Sequence, residues 1–310
     1  MAEWLKAPAW KACILLKVSR VRIPFSPPIN SYIIYLMKKI KFKDCLFYHV
    51  QDLPGLKKPT NGIFDLRNNA NNYLGNVEFK KKTVLELGPA SGFLSFLMEK
   101  QGAKVTCVDL SIKDDLWDVV PNCRVDHQKY ARNHILKNIA KVQNSFWYSH
   151  KALNSKVKII RTHINNLDNK VGKFDIGTIC LVLLHLENPF RAIQKICSHV
   201  KKKVIITEVL DRPGDISLKF RLKNLFKIFH KRYIDLKRIN DPTMSFYPTA
   251  NNKDLDIWYF LSQKIIINYL SIVGFGKYKI NYHKQLCKGK YINMYTIVAE
   301  RTVPISKCFY

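Results

Sequence analysis

One stretch of the sequence, residues 83–111, constrains the fold of this chain more than any other. It opens with a short apolar run at 84–87, which leads into a loop of small residues, GPASG, at 88–92. A segment with helical periodicity comes next, and a second apolar run then ends on Asp109. Two short apolar runs on either side of a helix-length segment predict a βαβ unit, and therefore parallel strands.

The residues around this loop suit a ligand that contains a nucleoside. Gly88, Ala90 and Gly92 allow the backbone to turn tightly and a ligand to approach it closely. Asp109 stands at the end of the second strand, where such folds place an acid that accepts hydrogen bonds from ribose hydroxyls. A dinucleotide and S-adenosylmethionine both remain open on these grounds. Glu86 favours S-adenosylmethionine, because an acid two positions before the first glycine would repel a pyrophosphate.

The loop and its flanking strands resemble motif I of class I S-adenosylmethionine-dependent methyltransferases, E/D-x-G-x-G-x-G, with Ala90 in place of the middle glycine. The resemblance implies an α/β fold, a Rossmann-like seven-stranded sandwich, with S-adenosylmethionine as its cofactor. It also implies that Glu86 and the loop at 88–92 hold the amino-acid half of the cofactor, while Asp109 holds the ribose. Three apolar side chains would then enclose the adenine: Leu110, Ile164 and Leu181.

Two segments ahead of the loop, YHVQDLP at 48–54 and NGIFDLR at 61–67, extend the resemblance. They are similar to the YHxxDLP and FDLR lead-in of a poorly characterised group of class I methyltransferases, which shares features with the tRNA wobble-uridine carboxymethyltransferases. Residues 144–153, NSFWYSHKAL, resemble the NSFWxxHRAL segment of the same group. Turn formers that alternate with aromatic residues predict a loop for the lead-in. Three of its residues would either line the ligand site or hold this loop onto the domain: His49, Asp65 and Arg67.

Two histidines follow predicted strands at one edge of the sheet. His163 follows the third strand, where related methyltransferases typically carry an aspartate that accepts a hydrogen bond from the adenine amino group. A neutral imidazole accepts one such bond through one nitrogen, so we expect His163 at the adenine. His185 follows the fourth strand within VLLHLENP, which resembles the VLxHLxxP segment of these enzymes. It is either the general base of the reaction or a residue that caps or packs the next helix.

The remaining apolar runs complete the predicted sheet and its helices. Helical periodicity predicts helices at 130–153, 189–199 and 264–273. Five further strands are predicted, the last two forming the antiparallel end of the sheet: 157–160, 173–181, 204–209, 278–282 and 291–300. The triple lysine at 201–203 is predicted to be a solvated turn.

We predict one methyltransferase domain at 40–301, followed by a tail at 302–310. The domain would carry an inserted basic helical segment at 214–250, in which apolar residues share one helical face and lysines and arginines surround it. Such a segment suits a membrane surface, a phosphate contact or a lid over the substrate pocket.

Residues 1–29, which make up most of the N-terminal segment 1–36, look unlike the rest of the chain. The run Val-Arg-Ile at 21–23 can be encoded by the T-loop sequence of a tRNA gene, and the segment resembles tRNA-gene products translated by mistake. We therefore expect a non-native extension and a native start near Met37. An ordinary basic N-terminal arm is the alternative.

The chain carries a formal net charge of +29. A basic surface would suit RNA, an anionic membrane or an acidic substrate. An AT-rich coding bias is the alternative, because basic residues are scattered along the chain. The eight cysteines form no C-x-x-C pair and no cluster with histidines, so we expect a reducing cytoplasm, no disulfide framework and no metal site. We find no apolar run long enough to span a bilayer and no signal-peptide pattern.

Three functions are consistent with these features. The first is a methyltransferase that moves a methyl group from S-adenosylmethionine to an oxygen or nitrogen atom of a small molecule or glycan. The second is a tRNA-modifying transferase that uses S-adenosylmethionine or a derivative of it. The third is a protein that binds S-adenosylmethionine without catalysis. The first is favoured because no separate RNA-binding domain is visible in the sequence.

Overall fold

The computed structural model describes residues 40–111, 118–130, 137–210, 241–251 and 255–308. The extension predicted at 1–36 and residues 214–240 of the predicted insertion lie outside these ranges. The described residues form one large mixed sheet with helices on both faces, together with a separate two-stranded sheet. Within these ranges, no helix is long and apolar enough to cross a membrane.

Ten strands are described in chain order: β1 (Phe64–Asp65), β2 (Thr83–Leu87), β3 (Lys104–Asp109), β4 (Lys158–Arg161), β5 (Phe174–Cys180), β6 (Val200–Val209), β7 (Met244–Phe246), β8 (Tyr259–Leu261), β9 (Lys277–Cys287) and β10 (Lys290–Glu300). Eight of them form the large sheet in the order β1-β9-β10-β6-β5-β2-β3-β4. The pairs from β4 to β6 are parallel, whereas β10, β9 and β1 are added antiparallel. The predicted Rossmann-like α/β sandwich is confirmed, and β1 adds an eighth strand beside β9.

Helices cover both faces of the large sheet. Six α-helices lie within the described residues: α1 (Ala70–Tyr73), α2 (Phe93–Lys100), α3 (His127–Tyr130), α4 (Lys137–Ala152), α5 (Pro189–His199) and α6 (Gln263–Ile272). Successive residues of β2 point to opposite faces, so Val84 packs in one core with Phe146 of α4. Leu85 packs in the other core with Ile193 of α5. Burial of the central strand on both faces explains its continuous apolar run.

The prediction that the lead-in is only a loop is wrong. Phe64–Asp65 forms β1, whose two residues pair with Cys287 and Leu286 of β9, and α1 follows directly. Tyr48 also bonds to this strand, because its carbonyl accepts from the amide of Phe64 at 3.0 Å. The partner strand lies near the far end of the chain, so local composition could not reveal the pairing.

The prediction of a basic turn at 201–203 is also wrong. Strand β6 already begins at Val200, which is fully buried, and Lys203 pairs with Ile176 of β5 and Glu300 of β10. Lysine side chains at the end of a sheet reach solvent along their aliphatic stems, so they do not interrupt the backbone ladder.

Two further elements differ from the expected pattern. The helix predicted at 130–153 is described as α3 and α4, with residues 131–136 outside the described ranges. Strands β7 and β8 form a small antiparallel sheet that was not predicted, in which Ser245 pairs with Phe260. This sheet lies beside the segment that contains Trp258, whose amide donates to the carbonyl of Leu184 at 2.8 Å.

Candidate functional site

The loop at 88–92 joins the end of β2 to the start of α2 and turns as the sequence predicts. Gly88 and Gly92 have positive φ angles of 72° and 87°, and Ala90 has 49°. A Cβ atom on Gly88 would lie 2.6 Å from Val182 Cγ2. The positive φ angle and this collision both exclude a larger residue at position 88. Ala90 adopts the left-handed conformation at a cost of about 1–2 kcal/mol relative to ordinary backbone.

The lead-in holds this loop from outside. The amide of His49 donates to Ser91 Oγ at 3.1 Å, and Gln51 Nε2 donates to the Ser91 carbonyl at 2.8 Å. The His49 ring lies 5.8 Å from the ring of Phe93 at the start of α2. Burial lowers the pKa of His49 to about 3, so its imidazole is neutral near pH 7. These contacts place His49 against the loop.

Asp65 and Arg67 form an ion-pair network that closes the lead-in on itself. Arg67 Nε and Nη2 donate to the two oxygens of Asp65 at 2.9 and 2.7 Å. Arg67 Nη1 donates to Asp52 Oδ1 at 2.9 Å. A guanidinium that binds one carboxylate through two nitrogens is fixed in orientation. Of the two roles considered for this pair, the contacts favour holding the loop.

Glu86 is buried in β2 directly before the loop. Its Oε2 atom accepts from Ser95 Oγ at 2.5 Å and lies 3.4 Å from Cys107 Sγ. Burial raises the pKa of Glu86 to about 7, because the charged form loses its hydration. A carboxyl group of this kind is well suited to a cationic partner such as the ammonium group of an amino acid, which would favour its charged form.

Asp109 ends β3 and lies directly opposite Arg161, the last residue of β4. Arg161 Nη1 donates to Asp109 Oδ2, and the amide of Leu110 donates to Oδ1 at 3.0 Å. Burial raises the pKa of Asp109, although Arg161 opposes that shift. Arg161 Nη2 is buried and has no hydrogen-bond partner among the described residues. The pair therefore offers a carboxylate and a spare donor to a polyhydroxylated ligand.

His163 is buried after β4, and both of its ring nitrogens are engaged within the chain. Nδ1 accepts from the amide of Asn165 at 3.2 Å, so the proton must lie on Nε2, which faces Asp118 Oδ1 at 3.5 Å. Asp118 Oδ2 also accepts from the amide of Glu187 at 3.0 Å. In this arrangement the ring has no acceptor left for an adenine amino group, and a cofactor contact at His163 stays a prediction.

His185 ends a 3₁₀ turn, Leu183–His185, that follows β5. Its Nδ1 atom lies 2.5 Å from the carbonyl oxygen of Asp256. A carbonyl can only accept, so Nδ1 carries the proton and Nε2 has a free lone pair. Among the described residues, no hydrogen-bond partner of Nε2 is found. The ring therefore presents one fixed basic nitrogen.

Glu208 supports the turn that carries His185, and sequence reasoning missed it. It is 3% exposed, and its Oε1 atom accepts from the amide of Leu183 at 3.1 Å. Burial raises the pKa of Glu208 to about 8, and its hydrogen bonds from the Leu183 and Val182 amides oppose the shift. The available signal was one acid inside the apolar run VIITEV.

The three residues expected around the adenine lie at the same edge of the sheet. Ile164 is 3% exposed and begins the 3₁₀ turn Ile164–Asn166 after β4. Leu181 follows β5 with a positive φ of 54°, and its amide donates to the carbonyl of Thr207 at 2.8 Å. The carbonyl of Leu110, which follows β3, accepts from Gln143 Nε2 at 2.8 Å.

Ten of the predicted site residues lie at or just beyond the carboxyl ends of β2, β3, β4 and β5, where open α/β sheets bind ligands: Glu86, Gly88, Ala90, Gly92, Asp109, Leu110, His163, Ile164, Leu181 and His185. We call this edge the crevice. Asp65 and Arg67 belong instead to the lead-in, at and after β1. Arg161, Asp118 and Glu208 are the residues that the sequence analysis did not identify. Among the described residues, no group of histidines, cysteines and acids could hold a metal ion.

Comparison with known proteins gives one family and several solved structures. A family model described as "Methyltransferase domain" matches residues 65–272, which is more than half of the chain. No curated protein matches the chain.

Three solved structures illustrate the structural similarity. Magnesium protoporphyrin IX methyltransferase from Synechocystis, with bound S-adenosylhomocysteine, is 16% identical with a TM-score of 0.43; the match covers 76% of this chain and 81% of that chain. The N-terminal domain of EvdMO1, also with S-adenosylhomocysteine, is 13% identical with a TM-score of 0.49, covering 87% and 96%. The 1,6-didemethyltoxoflavin-N1-methyltransferase of Burkholderia thailandensis is 12% identical with a TM-score of 0.45, covering 77% and 82%.

Proposed function

This chain belongs to the methyltransferase family whose model matches residues 65–272, and we propose that it methylates an oxygen or nitrogen atom on a small molecule or glycan. It is a class I S-adenosylmethionine-dependent methyltransferase, and S-adenosylmethionine is its cofactor. When bound, S-adenosylmethionine supplies a methyl group that its sulfonium already makes electrophilic. The protein therefore mainly has to align the acceptor and exclude water.

We assign the cofactor to the crevice. Glu86 and the loop of Gly88, Ala90 and Gly92 would hold the amino-acid half, because a buried carboxyl group lies directly behind a backbone bend with positive φ angles. Asp109 would hold the ribose hydroxyls, and the unpartnered Arg161 Nη2 atom would donate to a ligand oxygen beside them.

The adenine would lie among Leu110, Ile164 and Leu181, which follow three adjacent or near-adjacent strands. His163 would contribute through its position next to Ile164, since its ring nitrogens already bind Asn165 and Asp118. An apolar enclosure suits a planar base, whose faces gain from contact with side chains rather than water.

His185 is the residue proposed for proton removal, and its geometry is the single observation that carries this part of the proposal. With the proton on Nδ1 held by the Asp256 carbonyl at 2.5 Å, Nε2 would accept the proton of an acceptor hydroxyl or amine as that atom attacks. Glu208 would position His185 indirectly, because it accepts a hydrogen bond from the amide of Leu183 in the turn that ends on His185.

We also propose that the chain belongs to the group of methyltransferases that carry the YHxxDLP and FDLR lead-in. The contacts from His49 and Gln51 to Ser91 support a common unit of lead-in and loop. The compartment that we propose is the cytoplasm, on the sequence argument from the cysteines.

A transfer screen tests the acceptor class. Purified protein and S-adenosylmethionine with a radiolabelled methyl group would be incubated with fractions of cell extract, with and without nuclease. We expect the label in a small-molecule or glycan fraction, unchanged by nuclease and lost with His185→Asn. Label that disappears after nuclease treatment would overturn the small-molecule proposal.

A tRNA-modifying transferase is the second candidate, and the net charge of +29 together with the lead-in resemblance favours it. Binding of tRNA at low salt would support it, provided that the association constant falls with salt: log K should drop by about 0.7–0.9 for each phosphate contact per tenfold rise in salt concentration. A protein that binds S-adenosylmethionine without catalysis is the third. Calorimetry that detects binding, beside transfer assays that detect no product in any fraction, would favour that case.

A further inference from the structure

Lysines that are scattered along the sequence are brought together by the sheet at the edge opposite the crevice. This edge holds the start of each parallel strand, where Lys104 pairs with Thr83 and Lys158 pairs with Thr106. The carbonyl of Lys82 accepts from the amide of Lys104 at 2.8 Å, which places the run 80–82 beside them. We call this the lysine edge.

The lysine edge continues across the other half of the sheet. Lys203 of β6 and Lys277 of β9 both pair with Glu300 of β10, and Lys279 pairs with Val298 two residue pairs further in. Strands lie about 4.8 Å apart, so the row from β4 to β9 is about 29 Å long. The topology sets the length of this surface, since its lysines come from five different strands or strand entries.

Acids along this edge are fewer than its lysines. Glu78 lines a pocket with Lys203, Lys277 and Lys279, and Glu99 accepts from Ser155 Oγ and the Lys156 amide just before β4. Asp175 is bound by Lys201 and Lys202 at 3.7 and 3.1 Å, and Glu300 is bound by Lys203 at 2.9 Å. The remaining lysines of the edge have no carboxylate within ion-pair distance among the described residues: Lys82, Lys104, Lys158, Lys277 and Lys279. Arg301, which follows β10, is turned inward, and its guanidinium donates to the carbonyls of Val200 and Cys197.

Exposed apolar side chains lie at one end of the same edge. Ile272, the last residue of α6, is 77% exposed, Tyr278 is 51% exposed and Val303 is 39% exposed. The segments that carry them meet. The amide of Val303 donates to the carbonyl of Gly274, two residues after Ile272, and the amide of Gly276, two residues before Tyr278, donates to Thr302 Oγ1. An aliphatic side chain as exposed as Ile272 gains by leaving water.

We propose that the lysine edge docks the protein on an anionic membrane surface, with the crevice facing away from the membrane. Lysine ammonium groups act as point charges on a lipid surface, whereas recognition of nucleic-acid phosphates favours the guanidinium fork. Here the exposed cations are lysines and the nearby arginine points inward. The exposed patch of Ile272, Val303 and Tyr278 suits the headgroup boundary, where aliphatic side chains enter the apolar layer and tyrosine lies at the interface.

Vesicle sedimentation of the full-length protein tests this, using phosphatidylcholine vesicles with and without phosphatidylserine. Lys104, Lys158 and Lys279 would be changed together to glutamine. The matched control changes Lys284, Lys288 and Lys290, which lie at the opposite end of β9 and β10. We expect binding only with phosphatidylserine, and a roughly hundredfold loss for the first variant, since each lysine near such a surface contributes about fivefold in affinity. The control variant should bind within a fewfold of the wild type.

Three outcomes would overturn the proposal, and a fourth would overturn its apolar part. Equal losses in the two triple variants would mean that net charge, not the edge, drives binding. Absence of binding at low salt would remove the membrane as partner. Retention of RNA, but not of vesicles, through the same lysines would assign the edge to nucleic acid. Unchanged vesicle binding by Ile272→Ser would remove the apolar part of the contact; thermal unfolding of each variant checks that the fold is intact.

Discussion

The Nδ1 atom of His185 lies 2.5 Å from the backbone carbonyl oxygen of Asp256. This bond joins the turn after β5 to the segment before β8, two parts of the chain that are 71 positions apart. It also selects the tautomer of the ring, because only a protonated Nδ1 can bind a carbonyl. The remaining nitrogen, Nε2, is the one that a base would use, so one backbone carbonyl fixes both the orientation and the chemistry of His185.

The first prediction concerns the role of His185 as a base. In His185→Asn, the amide nitrogen replaces Nδ1 and keeps the bond to Asp256, but no nitrogen replaces Nε2. We expect the turnover number to fall about 10²–10⁴-fold, the usual contribution of general acid–base catalysis. The dissociation constant of S-adenosylmethionine should stay within a fewfold, as measured by calorimetry beside the transfer assay.

His150→Gln is the matched control for this variant. His150 lies in α4, and its Nε2 atom bonds to the carbonyl of Val157 at 3.1 Å, a contact that glutamine can reproduce. Normal turnover is expected there. If His185→Asn turned over substrate as fast as the wild type, His185 would be only a packing or capping residue.

The second prediction concerns Glu208 and pH. Burial raises its pKa from 4.5 to about 8, so the native state keeps a proton that the unfolded chain releases near 4.5. The unfolded state therefore binds fewer protons in that interval, and the free energy of unfolding falls as pH rises from about 5 to 8, by at most about 1.4 kcal/mol per pH unit for this group. Glu208→Gln should flatten this fall, as chemical denaturation at several pH values would measure.

Glu208 also has a positioning role that two variants separate. Glu208→Gln keeps a side-chain oxygen for the Leu183 amide, whereas Glu208→Leu leaves this amide unpaired at a cost of about 1–3 kcal/mol. We expect the leucine variant to lose turnover with little change in S-adenosylmethionine affinity. Exposed Glu78, changed to glutamine, should alter neither property; equal turnover in both Glu208 variants would argue against positioning.

The third prediction concerns Asp109. Asp109→Asn removes the charge that is proposed to bind the ribose hydroxyls and leaves Arg161 without its ion pair. We expect the affinity for S-adenosylmethionine to fall about 10–100-fold, because hydrogen bonds to charged groups contribute about 1.5–3 kcal/mol. Asp175→Asn is the matched control at the lysine edge and should bind normally. Equal affinity for Asp109→Asn would place the ribose elsewhere.

Much of the fold was predictable because its central strands are buried on both faces. A strand such as β2 shows this burial as a continuous apolar run, and the glycine loop marks where that run ends. The pattern fails where strands leave the core. Lysines at 201–203 continue β6 in solvent, and Phe64 in β1 finds its partner Cys287 only through the folded sheet.

The candidate site was predictable in part for a similar reason. Glu86, Asp109 and His185 lie next to strand ends, which the sequence marks by the change from apolar to polar residues. Arg161 and Glu208 matter through partners on other strands, Asp109 and the Leu183 amide respectively. Such pairs depend on the register between strands, which the apolar pattern of each strand does not give by itself. Aligning β3 with β4 by their predicted ends would have brought Arg161 to Asp109.

The fourth prediction concerns the pH dependence of cofactor binding. Burial raises the pKa of Glu86 to about 7, and only its charged form attracts an ammonium group. We expect the affinity for S-adenosylmethionine to rise as pH rises from about 6 to 8, by up to tenfold per unit below the pKa. Glu86→Gln should bind more weakly and lose this pH dependence in calorimetry. A pH dependence that is retained in Glu86→Gln would assign it to another group.

The fifth prediction compares two positions of the loop. Gly88→Ala combines a φ of 72° with a Cβ atom 2.6 Å from Val182 Cγ2, so we expect a loss of about 1–3 kcal/mol in the free energy of unfolding and weaker cofactor binding. Adding Val182→Ala should relieve the collision but not the backbone strain, giving partial recovery. Ala90→Gly removes a left-handed alanine and should change stability by less than about 1 kcal/mol. Denaturant unfolding and calorimetry measure both quantities, and equal effects at the two positions would contradict this account of the loop.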